Sequence, residues 1–129
     1  MLSRNFLAAS LCALASLSAT ASHAQEAKPN WLIGTWVLCD DPDHSPKDSL
    51  QFNSDGTGLV IRAKGNLQFV HKHSGRSVSI LANAHGYAIP IELSASPGFD
   101  RLLLHSDKTG STSNYVKSNS TQARKCSIK

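Results

Sequence analysis

The chain contains no Cys-x-x-Cys, no His-Glu-x-x-His and no Gly-x-Ser-x-Gly string, and each absence removes a class of chemistry. Without the first two, the common structural and hydrolytic zinc sites lack their ligand frameworks. Without the third there is no nucleophile elbow of the hydrolase kind. From Trp31 onward no window shows an apolar period near 3.6 residues, which argues against a helical fold. Repeats and low-complexity tracts are also missing, so solenoids and composition-driven disorder drop out. Net charge is only +4, too mild an excess to imply nucleic acid as a partner.

One apolar run is present, and it lies at the start. Arg4 precedes an alanine- and leucine-rich segment from about Phe6 to Leu17 that ends in small residues, the pattern of a secretory signal peptide. Its apolar core falls short of the ~20 residues a membrane span requires. Residues 1–24 are therefore expected to be removed, with Ala24 or Ala21 before the cleaved bond. Residues 25–129 remain as one small domain, periplasmic or secreted, with no stable membrane insertion. Cys12 lies inside the discarded run behind Leu11, which is too bulky for a lipoprotein cleavage site. Only Cys39 and Cys126 then remain, and in an oxidising compartment they are expected to form a disulfide.

Removing residues 1–24 takes away Arg4 and leaves 12 Lys and Arg against 9 Asp and Glu. Residues 25–55 hold six acids and two lysines, whereas Lys117, Arg124, Lys125 and Lys129 near the end have no acid among them. Attraction between the two ends is expected to help them meet.

Short runs of alternating polarity, separated by Gly, Ser, Asp, Asn and Pro clusters, predict an all-β domain. The runs are Trp31–Cys39, Ser49–Asn53, Gly58–Ala63, Asn66–His73, Ser77–Ala82, Gly86–Ser94, Arg101–His105 and Ser113–Lys117. Hairpin-compatible turns such as Asn83–Gly86 join them, so an antiparallel meander closing at about eight strands is expected. In the Tyr87–Ser94 strand, Tyr87, Ile89, Ile91 and Leu93 share a face. Pro90 cannot donate to a ladder, which places this strand beside a gap, a bulge or an edge. Ser118 to Lys125 reads as irregular, apart from a final turn toward Cys126.

The first strand carries Gly34-Thr35-Trp36 just behind the signal segment, which resembles the G-x-W motif of the lipocalins and their smaller bacterial relatives. The Leu50, Phe52 and Asp55–Gly58 strings, the Leu102–Leu104 strand and Tyr115–Lys117 follow in the order of that family's strands. The resemblance implies a barrel whose first-strand Trp36 closes one end beneath a late basic residue, Lys117 or Arg124. With so short a chain, Leu50, Phe52, Leu67, Phe69, Tyr87, Ile89, Ile91 and Leu93 are expected to fill most of the interior. Trp31 is expected at the rim.

Other candidate chemistry is sparse. His71 and His73 are two apart on a strand and share a face, the minimum for a metal pair, but no third ligand is defined and no cofactor is expected. Asp40, Asp41, Asp43 and His44 crowd one loop without the calcium-loop spacing; pairing of this loop with the basic C-terminal segment is expected. Asp55–Gly58 reads as a hairpin turn. The function expected is non-catalytic binding of a small apolar ligand or a partner protein, with Trp31 and the Asp40–His44 stretch as candidate surface. The rival reading is a periplasmic inhibitor or immunity protein that blocks a cell-wall enzyme or toxin by loop insertion, through Asp40–Asp48, Ser94–Asp100 or Lys108–Ser113.

Overall fold

A computed structural model describes residues 29–126. The proposed signal segment lies outside the described residues. Eight strands follow in order: β1 (Gly34–Asp40), β2 (Ser49–Phe52), β3 (Thr57–Ile61), β4 (Leu67–Ser74), β5 (Ser77–Ala84), β6 (Tyr87–Ala95), β7 (Arg101–His105) and β8 (Thr112–Lys117), then helix α1 (Thr121–Cys126). Each strand pairs antiparallel with the next, and β8 returns to β1 to close an all-β barrel of meander topology.

The turns explain the register. Asp55 Oδ1 accepts hydrogen bonds from the Thr57 amide at 3.0 Å and its hydroxyl at 2.6 Å. With Gly56 at φ 88°, this makes the β2–β3 hairpin. His85 and Gly86 both adopt positive φ, the two-residue turn whose twist matches antiparallel strands. The Gly86 amide also donates to Asn83 Oδ1.

Alternate residues then point inward. Trp36, Leu38, Leu50, Phe52, Val60, Phe69, Val78, Ile80, Ala82, Leu93, Ala95, Leu102 and Tyr115 are all buried in one core. The packing is close enough to dictate a glycine: a Cβ at Gly58 would lie 2.3 Å from the Phe69 ring, so the ring crosses bare backbone.

Four details differ from the sequence-based expectation. β1 starts at Gly34, not Trp31, because Asn30 takes a left-handed φ of 63° and the Trp36 indole N–H donates to the Leu32 carbonyl at 2.9 Å. Residues 29–33 therefore fold back over the barrel end, with Leu32 buried. The segment before Cys126 is helical where irregular chain was expected. Ser120 Oγ caps it by accepting from the Ala123 amide, and Ala123 and Cys126 pack on Val37, Cys39 and Val116 outside the barrel. Two apolar positions are too few for a readable period. The acidic loop after β1 is held by hydroxyl groups, described below, and not by the basic C-terminal segment. Finally, Tyr87 and Ile89 are 77% and 42% exposed and do not fill the interior, because β7 pairs with β6 only at Ser94 and Ala95.

Cys39 and Cys126 are bonded across 87 residues, with Cα atoms 5.2 Å apart. The bond ties α1 to the outer face of β1. Closing so long a loop removes ~4 to 5 kcal/mol of unfolded-state entropy in the chain-entropy model, and ~1 kcal/mol moves the midpoint of a domain this size by several degrees. Reduction should therefore lower the calorimetric Tm by more than ~10 °C. An unchanged midpoint, with two free thiols titrated in the native protein, would contradict the bond.

Candidate functional site

One end of the barrel is closed by its own side chains. Lys117 Nζ lies 5.1 Å from the centre of the Trp36 ring and donates to the Ile33 carbonyl. Gly34, at φ 125°, passes beneath it; a Cβ there would stand 3.2 Å from Nζ. Burial lowers the Lys117 pKa, and the indole face and carbonyl partly replace the lost water. Arg124, the other basic residue considered for this role, is exposed on α1.

Trp31 covers the same end at half burial, edge-on to Trp36 at 6.2 Å and near His73 and Phe99 at 5.9 and 5.0 Å. Phe99 occupies a left-handed φ of 57°, a conformation that costs a bulky residue on the order of 1 kcal/mol. Its amide donates to the Ser96 carbonyl at 2.9 Å, so the turn holds the ring against Trp31.

At the opposite end, Asp41 organises the loop from Asp40 to Asp48. Its carboxylate accepts from the Ser45 and Asp43 amides at 2.6 and 3.1 Å and from Ser113 Oγ at 3.0 Å. Asp43 accepts from Thr109 Oγ1 at 2.8 Å. Partial desolvation of Asp41 works upward on its pKa, but the Ser45 and Ser113 hydrogen bonds prevail and hold it below the usual carboxylate value. His44 is exposed, at φ 52°, and Asp40 continues β1 past a bulge. His105 Nε2 lies 3.9 Å from Asp107 Oδ1 on the exposed surface.

At the base of this loop Asp48 accepts a hydrogen bond from the Tyr115 hydroxyl at 2.8 Å. Burial raises the Asp48 pKa and outweighs that bond. Tyr115 is raised too, by burial and by the carboxylate beside it.

His71 and His73 have different surroundings despite sharing a face. The His71 Nε2–H donates to the Asn53 carbonyl at 3.0 Å, and its ring packs on Phe52 and Phe69. His73 is exposed beside Trp31. Among the described residues, no group of three or more His, Cys, Asp or Glu is placed to hold a metal ion.

Sequence reasoning missed the surface of β4 to β6. All four large exposed hydrophobics among the described residues lie there: Val70, Leu81, Tyr87 and Ile89. Val70, Leu81 and Pro90 form one cross-strand row on the outer face. Beside it runs an open groove of about 730 Å³, with Leu59, Val70, Leu81 and Ala88 in its wall and Gln68 and Asn83 among its polar groups. A smaller cleft of about 460 Å³ lies between α1 and the outer surface of β1 to β3. The signal available in the sequence was Pro90, together with the lack of any Lys or Arg from Ser77 to Ala95.

No protein-family model, no curated protein and no solved structure matches this chain. No helix among the described residues is long and apolar enough to cross a membrane.

The Asp48 site yields a pH prediction. A folded pKa above the unfolded value means that the neutral carboxyl is favoured in the native state, so this contribution is present at low pH and lost as pH rises through the folded pKa. Asp48→Asn keeps an acceptor for Tyr115 without the buried charge. It should unfold at a higher temperature than the parent at pH 7, with the gain shrinking as pH falls toward the ordinary value of 3.8. Thermal scans from pH 3 to 7 check this; a variant less stable at pH 7, or a gain independent of pH, contradicts it.

Proposed function

We propose that this chain is an exported, non-catalytic binding protein of lipocalin-like build, and that it acts by docking to another protein. The observation that carries the reading is where the apolar surface lies. Small-ligand sites are concave and lined by inward apolar groups, but here the inward positions of β1 to β5 are occupied by Trp36, Leu50, Phe52, Phe69, Val78 and Ile80 packed together. Among the large apolar side chains left exposed, Val70 and Leu81 lie on the outer face beside Pro90, rimmed by Gln68 and Asn83, while Tyr87 and Ile89 lie on the inward face of β6. An apolar centre with a polar rim is the anatomy of a protein interface.

The inhibitor or immunity reading has one observation in its favour. The loop from Asp40 to Asp48 is fixed by Cys39–Cys126 at its base and by Ser113 and Thr109 along its length. A rigid loop loses little entropy on insertion into a partner's cleft. That role is a special case of protein docking, and the partner's identity separates the two.

Native mass spectrometry of the protein released gently from the periplasm tests the proposal. The expected result is a stoichiometric complex with a second polypeptide. Recovery of the chain carrying an extractable apolar small molecule, or of the bare chain alone, would overturn it.

A further inference from the structure

The backbone of β6 is paired unequally on its two sides. In an antiparallel strand, successive residues aim their N–H and C=O groups at opposite neighbours. The Ala95 amide donates to the Arg76 carbonyl on the β5 side, and the Ser96 amide donates to the Arg101 carbonyl on the β7 side. Odd-numbered residues of β6 therefore face β5, which pairs with the strand along its length. Even-numbered residues face β7, but that pairing ends at Ser94 with Leu103. Ala88, Pro90 and Glu92 have no strand opposite them, and all three are exposed. Three carbonyls and two amide N–H groups lie along this open edge, since Pro90 has no N–H to offer.

Open edges in native proteins are normally blunted by lysine, proline, bulges or cover. This one has Pro90, and the only Asp, Glu, Lys or Arg from Ser77 to Ala95 is Glu92. Apolar groups flank it on both sides of the sheet, with Tyr87 and Ile89 on the inward side and Leu81 and Pro90 on the outer. We infer that the β6 edge is a strand-addition site, which takes an extended segment of a partner protein with apolar residues on its inward face and a basic residue opposite Glu92.

The chemistry selects this occupant. Unpaired peptide groups in a row are matched by another extended backbone, and alternate side chains of that segment then supply the specificity. A second copy of this chain fits less well. Two β6 edges related by a two-fold axis pair best with Ala88 opposite Glu92, which sets Pro90 against Pro90 and leaves both of its carbonyls unmatched. The charge also favours a different chain: Glu92 calls for a cation, and the β6 edge has none. This inference rests on the protein-docking reading and adds the site and the binding mode.

The test uses the isotope-labelled protein and, as probe, an acetylated, amidated octapeptide of alternating valine and lysine. At saturating peptide, NMR should show shifts centred on Ala88 and Glu92, with amide exchange at both slowed at least tenfold. The fully N-methylated peptide should do neither. Glu92 also accepts a hydrogen bond from the Ser79 hydroxyl on β5 at 2.8 Å. Glu92→Lys gives up that bond but keeps the backbone pairing with β5, and it should weaken binding roughly threefold to tenfold. Glu92→Gln, which can still accept from Ser79, should weaken it less.

Several results overturn the inference: no shift at Ala88 and Glu92, equal binding of the N-methylated peptide, or shifts confined to Val70 and Leu81 in the outer groove. Dimerisation of the protein alone, with the same amides protected, assigns the edge to a second copy and overturns it as well. Failure of the broader reading is separate. A natural complex in which Ala88 and Glu92 still exchange freely keeps protein docking and removes the strand, whereas strand binding by the peptide without any natural complex does the reverse.

Discussion

The seam between β1 and β8 is the constraint on which the rest of this barrel depends. A meander becomes a closed sheet only where its first and last strands meet, and here that junction is reinforced three ways. Trp36 stands opposite Lys117 in the register, and the ammonium bridges the indole face and the Ile33 carbonyl. Tyr115, the inward neighbour on β8, ties back to Asp48, the last loop residue before β2. Outside, Cys39–Cys126 straps α1 over the seam. Each device joins residues far apart in sequence, where loop-closure entropy opposes contact most.

With the seam fixed, the looseness in the closure falls elsewhere. β5 and β6 are paired along their length, yet β6 and β7 meet at two positions. The barrel is thus tight at its Trp36 end and open along the outer half of β6. The same strand that completes the core with Leu93 and Ala95 leaves Tyr87 and Ile89 in water. One element serves packing at one end and presents surface at the other. The aromatic cluster of Trp31, Trp36 and Phe99 belongs to the closed end, so the prominence of tryptophan in the first strand reflects architecture more than recognition.

Much of the fold was legible in the sequence because β structure writes itself as local alternation and turn chemistry. Asp55-Gly56 and His85-Gly86 mark hairpins by backbone requirement alone, and the eight runs map onto eight strands within a few residues. What could not be read were the features set by distant partners. Nothing local indicates that Trp36 would pull residues 29–33 back over the barrel end, or that Thr121–Cys126 would be helical once Cys126 was anchored. Periodicity assigned Tyr87 and Ile89 to the inward face correctly, but burial also needs a strand in front of that face, and strand pairing is not a local property. Pro90 was the exception: a residue without an amide hydrogen marked where the ladder would fail. The candidate surface residues Asp40, Asp41, Asp43 and His44 fall on one ordered loop, whereas the exposed row of Val70, Leu81 and Pro90 appears only after three strands are aligned.

From Ala88 to Glu92, β6 is paired on one side only. Amide hydrogen exchange of the free protein, resolved by residue, reads this pairing out along the strand. Protection should alternate: Ile89, Ile91 and Leu93, whose amides point to β5, strongly protected, and Ala88 and Glu92 exchanging nearly as fast as in an open peptide. Uniform protection from Ala88 to Leu93 would show a strand or other acceptor along that edge and would contradict it.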